Sequence, residues 1–273
     1  MEIALRLITT VLPMIYLLSV AAYVADFVAF NPRAARAGRR LLTAALGTHA
    51  VQLGLAAALY RHVPLASREE VMGTVAFAIG VVYLLVERRT QVGRTGAFVV
   101  GVAFALQTVS SAFVEPVTRF PDVLRSPLFA VHAGSAVAGY AAFGLSAVYG
   151  ILSLLLHRAL KRRSFGIVFD RLPSLDVLTR MSLSAAAVGA LFLGAAIALG
   201  MVWASWEFPG FLTDPKVVMT VAVWLAYVAV LFAHYRLHWS RRRAIGLSLV
   251  AFVLLIASAL ATVFGLPSFH TFA

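Results

Sequence analysis

The sequence predicts an all-α, polytopic transmembrane helix bundle of eight spans with both termini extracytoplasmic, and three observations carry that reading. Mean hydropathy is +0.92, with 62% hydrophobic and 12% charged residues over a 273-residue chain, a balance foreign to soluble globular domains. Eight apolar runs each approach the roughly 20 residues that a helix needs to cross a bilayer core. Basic residues alternate between connectors, with 17 of the 23 on one face, and the positive-inside rule makes that face cytoplasmic.

The spans are expected near 7–30, 41–60, 71–86, 93–114, 128–156, 181–204, 216–235 and 244–266. The first is too long for the apolar core of a signal peptide and is kept as a span; Pro13 is its one strong interior break, and Asp26 is expected to pair with an arginine between Arg33 and Arg40. The second carries His49 and Gln52, and the third runs out at Arg88 and Arg89. Gln107 in the fourth is expected to bond between helices. The fifth has a readable start, with Ser126 as N-cap and Pro127 in the first turn, where its missing N–H costs nothing. Gly134, Gly139 and Gly144 in the fifth span and the Ala/Gly-rich stretch 182–200 in the sixth allow close helix approach. Asp214 caps the seventh, followed by Pro215 and by Lys216, whose charge opposes the helix dipole. Gly265 and Pro267 end the eighth and leave His270 in an outward-facing tail.

The longest connector, 157–180, is too short for a soluble core, so residues 1–273 read as a single integral membrane domain of the bacterial-type cytoplasmic membrane. The chain has no cysteine, which excludes disulfides, CxxC redox chemistry and thiolate metal sites. The formal charge of +12 is spread over connectors facing lipid, so the expected counter-charge is anionic membrane lipid rather than nucleic acid.

Ionisable groups are costly inside a bilayer, so the histidines in or beside the spans are functional candidates. His49 follows Arg40 by nine residues and His234 precedes Arg241 by seven. At about 1.5 Å per residue each would stand roughly 10–14 Å into its helix, a matched pair able to ligate one iron as in a b-type haem. The alternative is two separate histidines, each bonded to a carbonyl or to a neighbour such as Gln52. A second pair, His132 and His270, falls on the outer side. The connector on that face carries Trp203, Trp206, Phe208 and Phe211 beside Asp214 and Lys216. Its aromatic faces can hold a flat porphyrin, while Lys216 and the helix N-terminus can receive propionates; an interfacial aromatic belt is the alternative. His62, His157 and His238 read as solvated or headgroup-facing.

The segment WASWEFPGFLTDPKVVMTVAVWLAYVAVLFAHYR, Trp203 to Arg236, resembles the tryptophan-rich loop and following helix of the cytochrome c assembly protein family, the CcsA/ResC/HemX-like haem-handling membrane proteins. PLFAVHAGSAVAGYAAFGLSAVYGILSLLL is similar to the family helix that opens with an outer haem-ligating histidine, here His132, with Tyr140 at the matching tyrosine. GLPSFHTF resembles the stretch with the second outer histidine, here His270, and RHVPLASREEVMGTVAFAIGVVYLLVE the second outer loop and third helix. The resemblance covers residues from about 41 to the end. It implies metal ligands at His132, His270, His49 and His234, and haem b contacts at Trp203, Trp206, Asp214, Lys216, Trp224 and Tyr140.

The resemblance further implies a haem-handling protein of c-type cytochrome biogenesis that presents haem on the extracytoplasmic side. Its partners would be an apocytochrome c and another membrane protein of the assembly system. By itself the chain would not be an enzyme, only a component of a cytochrome c haem lyase system. Thr213 stands where family members carry a tryptophan and Val217 where they carry a glutamate, so the alternative is a HemX-like assembly or regulatory subunit without bound haem.

Overall fold

The computed structural model describes residues 1–90, 93–114, 125–163, 166–207, 210–263 and 268. It is all-helical among them. The helices are α1 (Glu2–Ala29), α2 (Pro32–Tyr60), α3 (Arg68–Thr90), α4 (Gly96–Phe113), α5 (Pro127–Lys161), α6 (Ile167–Arg171), α7 (Leu175–Glu207), α8 (Pro215–Tyr235) and α9 (Arg241–Val263). All but the short α6 are long and apolar enough to span a bilayer, so the eight expected spans are present and the chain is a multi-pass membrane protein. Pro13 lies inside a continuous α1. Residues 265, 267 and 270 lie outside the described residues.

The chain divides into two compact units, one of residues 1–120 and 158–173 and one of 121–157 and 174–273. In the first, α1 and α2 are joined by a two-residue turn. Phe30 takes the left-handed conformation and Asn31 caps α2, accepting from Arg33 N at 3.0 Å and Ala34 N at 3.3 Å. Ser67 and Glu70 form a reciprocal capping box at α3: Ser67 Oγ accepts from Glu70 N at 3.1 Å, and Glu70 Oε2 accepts from Ala66 N at 2.8 Å and Ser67 N at 3.4 Å. Such boxes satisfy amides that a helix start otherwise leaves open.

The first unit is tied together by Tyr23. Its ring fills the space left by Gly38 and Gly96, where a Cβ would stand 3.1 and 2.5 Å from ring carbons, and its hydroxyl donates to the fully buried Glu87 at 2.7 Å. Arg39 donates to the same carboxylate at 3.3 Å. Three expectations are corrected here. Asp26 forms no ion pair with an arginine between Arg33 and Arg40 among the described residues, and the α2 arginine that does pair, Arg39, is bound to Glu87. Gln107 bonds along its own helix, donating to Ser111 Oγ at 2.9 Å. His62 is buried rather than solvated: its Nδ1 donates to Val63 O at 2.8 Å, and Nε2 lies 3.8 Å from Glu70 Oε1.

The second unit packs α5, α7, α8 and α9. Phe143 stacks on Tyr227 with centroids 3.8 Å apart, and its ring occupies the notch at Gly189. Gly139 brings α5 against the α7 backbone, a Cβ there meeting Leu193 N at 3.1 Å. Hydroxyls join the same pair of helices, Ser153 with Thr179 at 2.9 Å and Ser182 donating to Ser146 O at 2.9 Å. Small residues and hydroxyls are what hold helices together where lipid removes the hydrophobic drive.

Candidate functional site

In the second unit α5 begins as expected, with Ser126 Oγ accepting from Leu128 N at 3.2 Å. His132 follows within two turns. Its Nδ1 lies 2.8 Å from Ala196 O on α7. A carbonyl oxygen can only accept, so Nδ1 carries the proton and the neutral ring keeps its lone pair on Nε2. That is the tautomer of a metal-binding imidazole, whose other nitrogen is commonly tied to a carbonyl.

Gly200 makes the approach possible. A Cβ there would stand 2.6 Å from His132 Cε1 and 2.7 Å from Nδ1, so any larger residue would push the ring off the carbonyl. Trp203, one turn on and 2% exposed, lies against the imidazole with centroids 6.2 Å apart and planes 24° from parallel. Phe129 closes the other side of the indole at 5.4 Å. The ring of His132 is thus held by a hydrogen bond, a notch and a stacking partner.

The start of α8 supplies the next group. Asp214 Oδ1 accepts from Lys216 N at 2.9 Å and Val217 N at 3.2 Å, the expected N-cap. The same oxygen accepts from the hydroxyl of Ser268, two residues before His270 in the sequence, at 3.1 Å. Lys216 follows this cap, in the first turn of α8. His270 itself lies outside the described residues.

The other residues singled out in the sequence are placed as follows. Trp206 is 72% exposed. Trp224 packs over Gly194 and donates from Nε1 to Ala190 O at 2.8 Å. Tyr140 lies half-buried against the cluster of Phe143, Leu193 and Tyr227. His49, 1% exposed in the first unit, shares a hydrogen bond of 3.1 Å with Tyr16 and meets the edge of Phe77 at 5.2 Å. Gln52 does not serve it, donating instead to Thr9 Oγ1 at 3.0 Å.

His234, in the second unit, differs from the expectation in depth. Helix α8 ends at Tyr235 with Arg236 as C-cap, and the residues up to Arg241 form a turn instead of further helix. His234 therefore stands in the last turn, where its Nδ1 donates to Trp239 O at 2.9 Å. The arginine that marks this helix end is Arg236.

Sequence reasoning did not find Glu87, Tyr23 and Arg39. Only the glycines Gly38 and Gly96, which leave room for the Tyr23 ring, hint at them in the sequence. It also missed the buried pair of His62 and Glu70, although Ser67-x-x-Glu70 is a legible capping box.

Comparison with known proteins gives the same direction as the motifs. Residues 65–266 match the family described as Cytochrome C assembly protein. The chain is 30% identical to Protein HemX of Brevibacillus brevis over 171 residues, 62% of each chain, and so spans less than two thirds of that relative. It is 25% identical to Protein HemX of Bacillus subtilis (strain 168) over 80% of each chain. A third relative, Inner membrane protein YpjD of Escherichia coli (strain K12), is 24% identical over 56% of this chain and 57% of its own length. With a family match over most of its length and eight membrane-spanning helices, the chain belongs to the cytochrome c assembly protein family.

Proposed function

We propose that this chain is a haem-handling protein of c-type cytochrome biogenesis, which binds haem b through histidine pairs and presents it on the extracytoplasmic side. The observation that carries the reading is His132, whose Nδ1 is bound to Ala196 O at 2.8 Å and whose Nε2 is left as the basic nitrogen. The chemistry of the site fits a porphyrin: an imidazole held in its ligand tautomer, a cation at Lys216, and the exposed indole of Trp206. The Ser268–Asp214 bond supports His270 as the second axial ligand. His49 and His234 are further candidate ligands.

Haem iron held by two axial imidazoles has no open position for stray ligands, which suits storage and delivery more than turnover. Trp203 excludes water from one side of His132, and the Lys216 ammonium is the cation offered to a propionate, since the first amides of α8 are already taken by the Asp214 carboxylate. The chain has no cysteine, so the thiols of any thioether belong to an apocytochrome c. A partner membrane protein of the assembly system would bring that substrate, and the chain would act as part of a haem lyase system.

The test is a visible spectrum with pyridine haemochrome analysis of protein purified from haem-replete cells. A Soret band that falls by more than half in H132A or H270A is expected. A wild-type protein with no such band overturns the reading.

A second reading, a HemX-like assembly or regulatory subunit without haem, is favoured by one feature. Thr213 and Val217 replace the tryptophan and glutamate of the family motif, and Trp206 stands largely open. Unaltered c-type cytochromes on deletion, with a stable complex to another membrane protein, would select it.

A further inference from the structure

We infer that the groove at the start of α2 is a binding site for an anionic phospholipid, with its phosphodiester on Arg33, Arg36 and Arg40 and an acyl chain along Ala37 and Leu41. The groove holds about 600 Å³, and among the described residues these five line it. At 3.6 residues per turn, positions 33, 36 and 40 fall on one narrow face, with 37 and 41 beside them. Along the helix the cations and alkyl groups are interleaved, with Ala37 between Arg36 and Arg40 and Leu41 next to Arg40, so a phosphate held by the arginines would have apolar surface directly beside it.

None of the three arginines forms an ion pair among the described residues, whereas Arg39, about a quarter turn around the helix, is engaged by Glu87 at 3.3 Å. Arg36 is steadied by its Nε donating to Pro32 O at 3.3 Å, which leaves the terminal nitrogens of its guanidinium for a ligand. Guanidinium forks match the paired oxygens of a phosphate. The helix amides do not compete for it, since Asn31 already caps Arg33 N and Ala34 N.

Two sources offer a phosphate oxyanion: free phosphate and a lipid headgroup. A free ion uses the arginines alone, occupies a small part of the groove and has no use for Leu41. Ala37 and Leu41, beside the cations on a membrane-spanning helix, give an acyl chain an apolar contact, and this commits the site to lipid. The inference stands independently of any haem.

The full chain, delipidated and placed in phosphatidylcholine nanodiscs, is titrated with phosphatidylglycerol and read by lipid quantification and native mass spectrometry. Saturable retention of phosphatidylglycerol is expected, weakened by about tenfold or more in R33Q/R36Q/R40Q, given roughly 1 kcal/mol per basic residue near a membrane surface. Removing three exposed arginines elsewhere, in R162Q/R242Q/R243Q, should leave retention near wild type. Circular dichroism and thermal melts verify that both variants fold; should the triple variant fail, R36Q alone is expected to weaken retention. Equal loss in both triple variants, no loss in the first, or displacement by inorganic phosphate in millimolar excess would each overturn the proposal.

Discussion

His132 and Trp224 dock on α7 in the same way. Each ring nitrogen donates to an alanine carbonyl at 2.8 Å, that of Ala196 for the imidazole and that of Ala190 for the indole. Each ring also covers the glycine four residues later, Gly200 and Gly194, where a Cβ would stand within 3 Å of it. In a helix the carbonyl of residue i bonds the amide of i+4, so the side chain at i+4 shields its second lone pair. A glycine there opens the carbonyl to a donor from a neighbouring helix. One device repeated on α7 thus fixes an aromatic anchor and sets the tautomer of a histidine.

The pair allows a controlled test of His132. G200A and G194A should each destabilise the fold by about 1–3 kcal/mol through overpacking, seen as similar downward shifts in thermal unfolding. Only G200A should also alter the Soret position or haem content, because only it pushes an imidazole off its carbonyl. Identical spectra for the two variants would remove Gly200 from any role in orienting the ligand.

A different balance governs Tyr23 and Glu87. Y23F removes a hydroxyl donor from a fully buried carboxylate and should cost about 1.5–3 kcal/mol, the range for hydrogen bonds to charged groups. E87Q keeps an acceptor for Tyr23 and should be tolerated better than E87A, which strands both the tyrosine and Arg39. The Arg39 side chain is 37% exposed, so water relieves part of the 3–5 kcal/mol typical of a broken buried pair. Chemical denaturation in mild detergent ranks the three variants, and E87Q falling below E87A would contradict the network.

The capping box at α3 gives a local counterpart. S67A should lose about 1 kcal/mol, a common value for an N-cap. E70A should lose more, because it frees Ala66 N and Ser67 N and leaves His62 without its carboxylate. Hydrogen exchange at residues 66–71 measures both, with faster exchange in E70A than in S67A as the expected order.

What was legible in the sequence follows the range of the interactions. The eight spans rest on apolar runs of about 20 residues, and the caps at Ser126 and Asp214 on bonds to the next turn, so both could be read locally. Glu87 and Tyr23 are 64 residues apart, and nothing near either position announces the other. Gln107 was misjudged because its amide N–H is taken by an i+4 serine of its own helix. The depth of His234 was misjudged because the helix stops at Tyr235, whereas apolar patterning alone could not decide between Arg236 and Arg241 as its end. For the site, residue types and spacing named His132, but the carbonyl of Ala196 and the notch at Gly200 became visible only once α5 lay against α7.

The link between Ser268 and Asp214 separates tail placement from helix capping. Among the described residues Asp214 Oδ1 accepts from two amides of its own helix and from the Ser268 hydroxyl. D214A should therefore lose the cap, at about 1 kcal/mol, together with the tail contact, whereas S268A should lose only the latter and unfold close to the wild-type temperature. If His270 completes the iron site, S268A should release haem to apomyoglobin several-fold faster than wild type while its thermal midpoint stays nearly unchanged. D214A should show both defects. Unaltered haem release in S268A would mean that the segment before His270 needs no anchor at α8, and the second axial ligand would then have to be sought elsewhere in the chain.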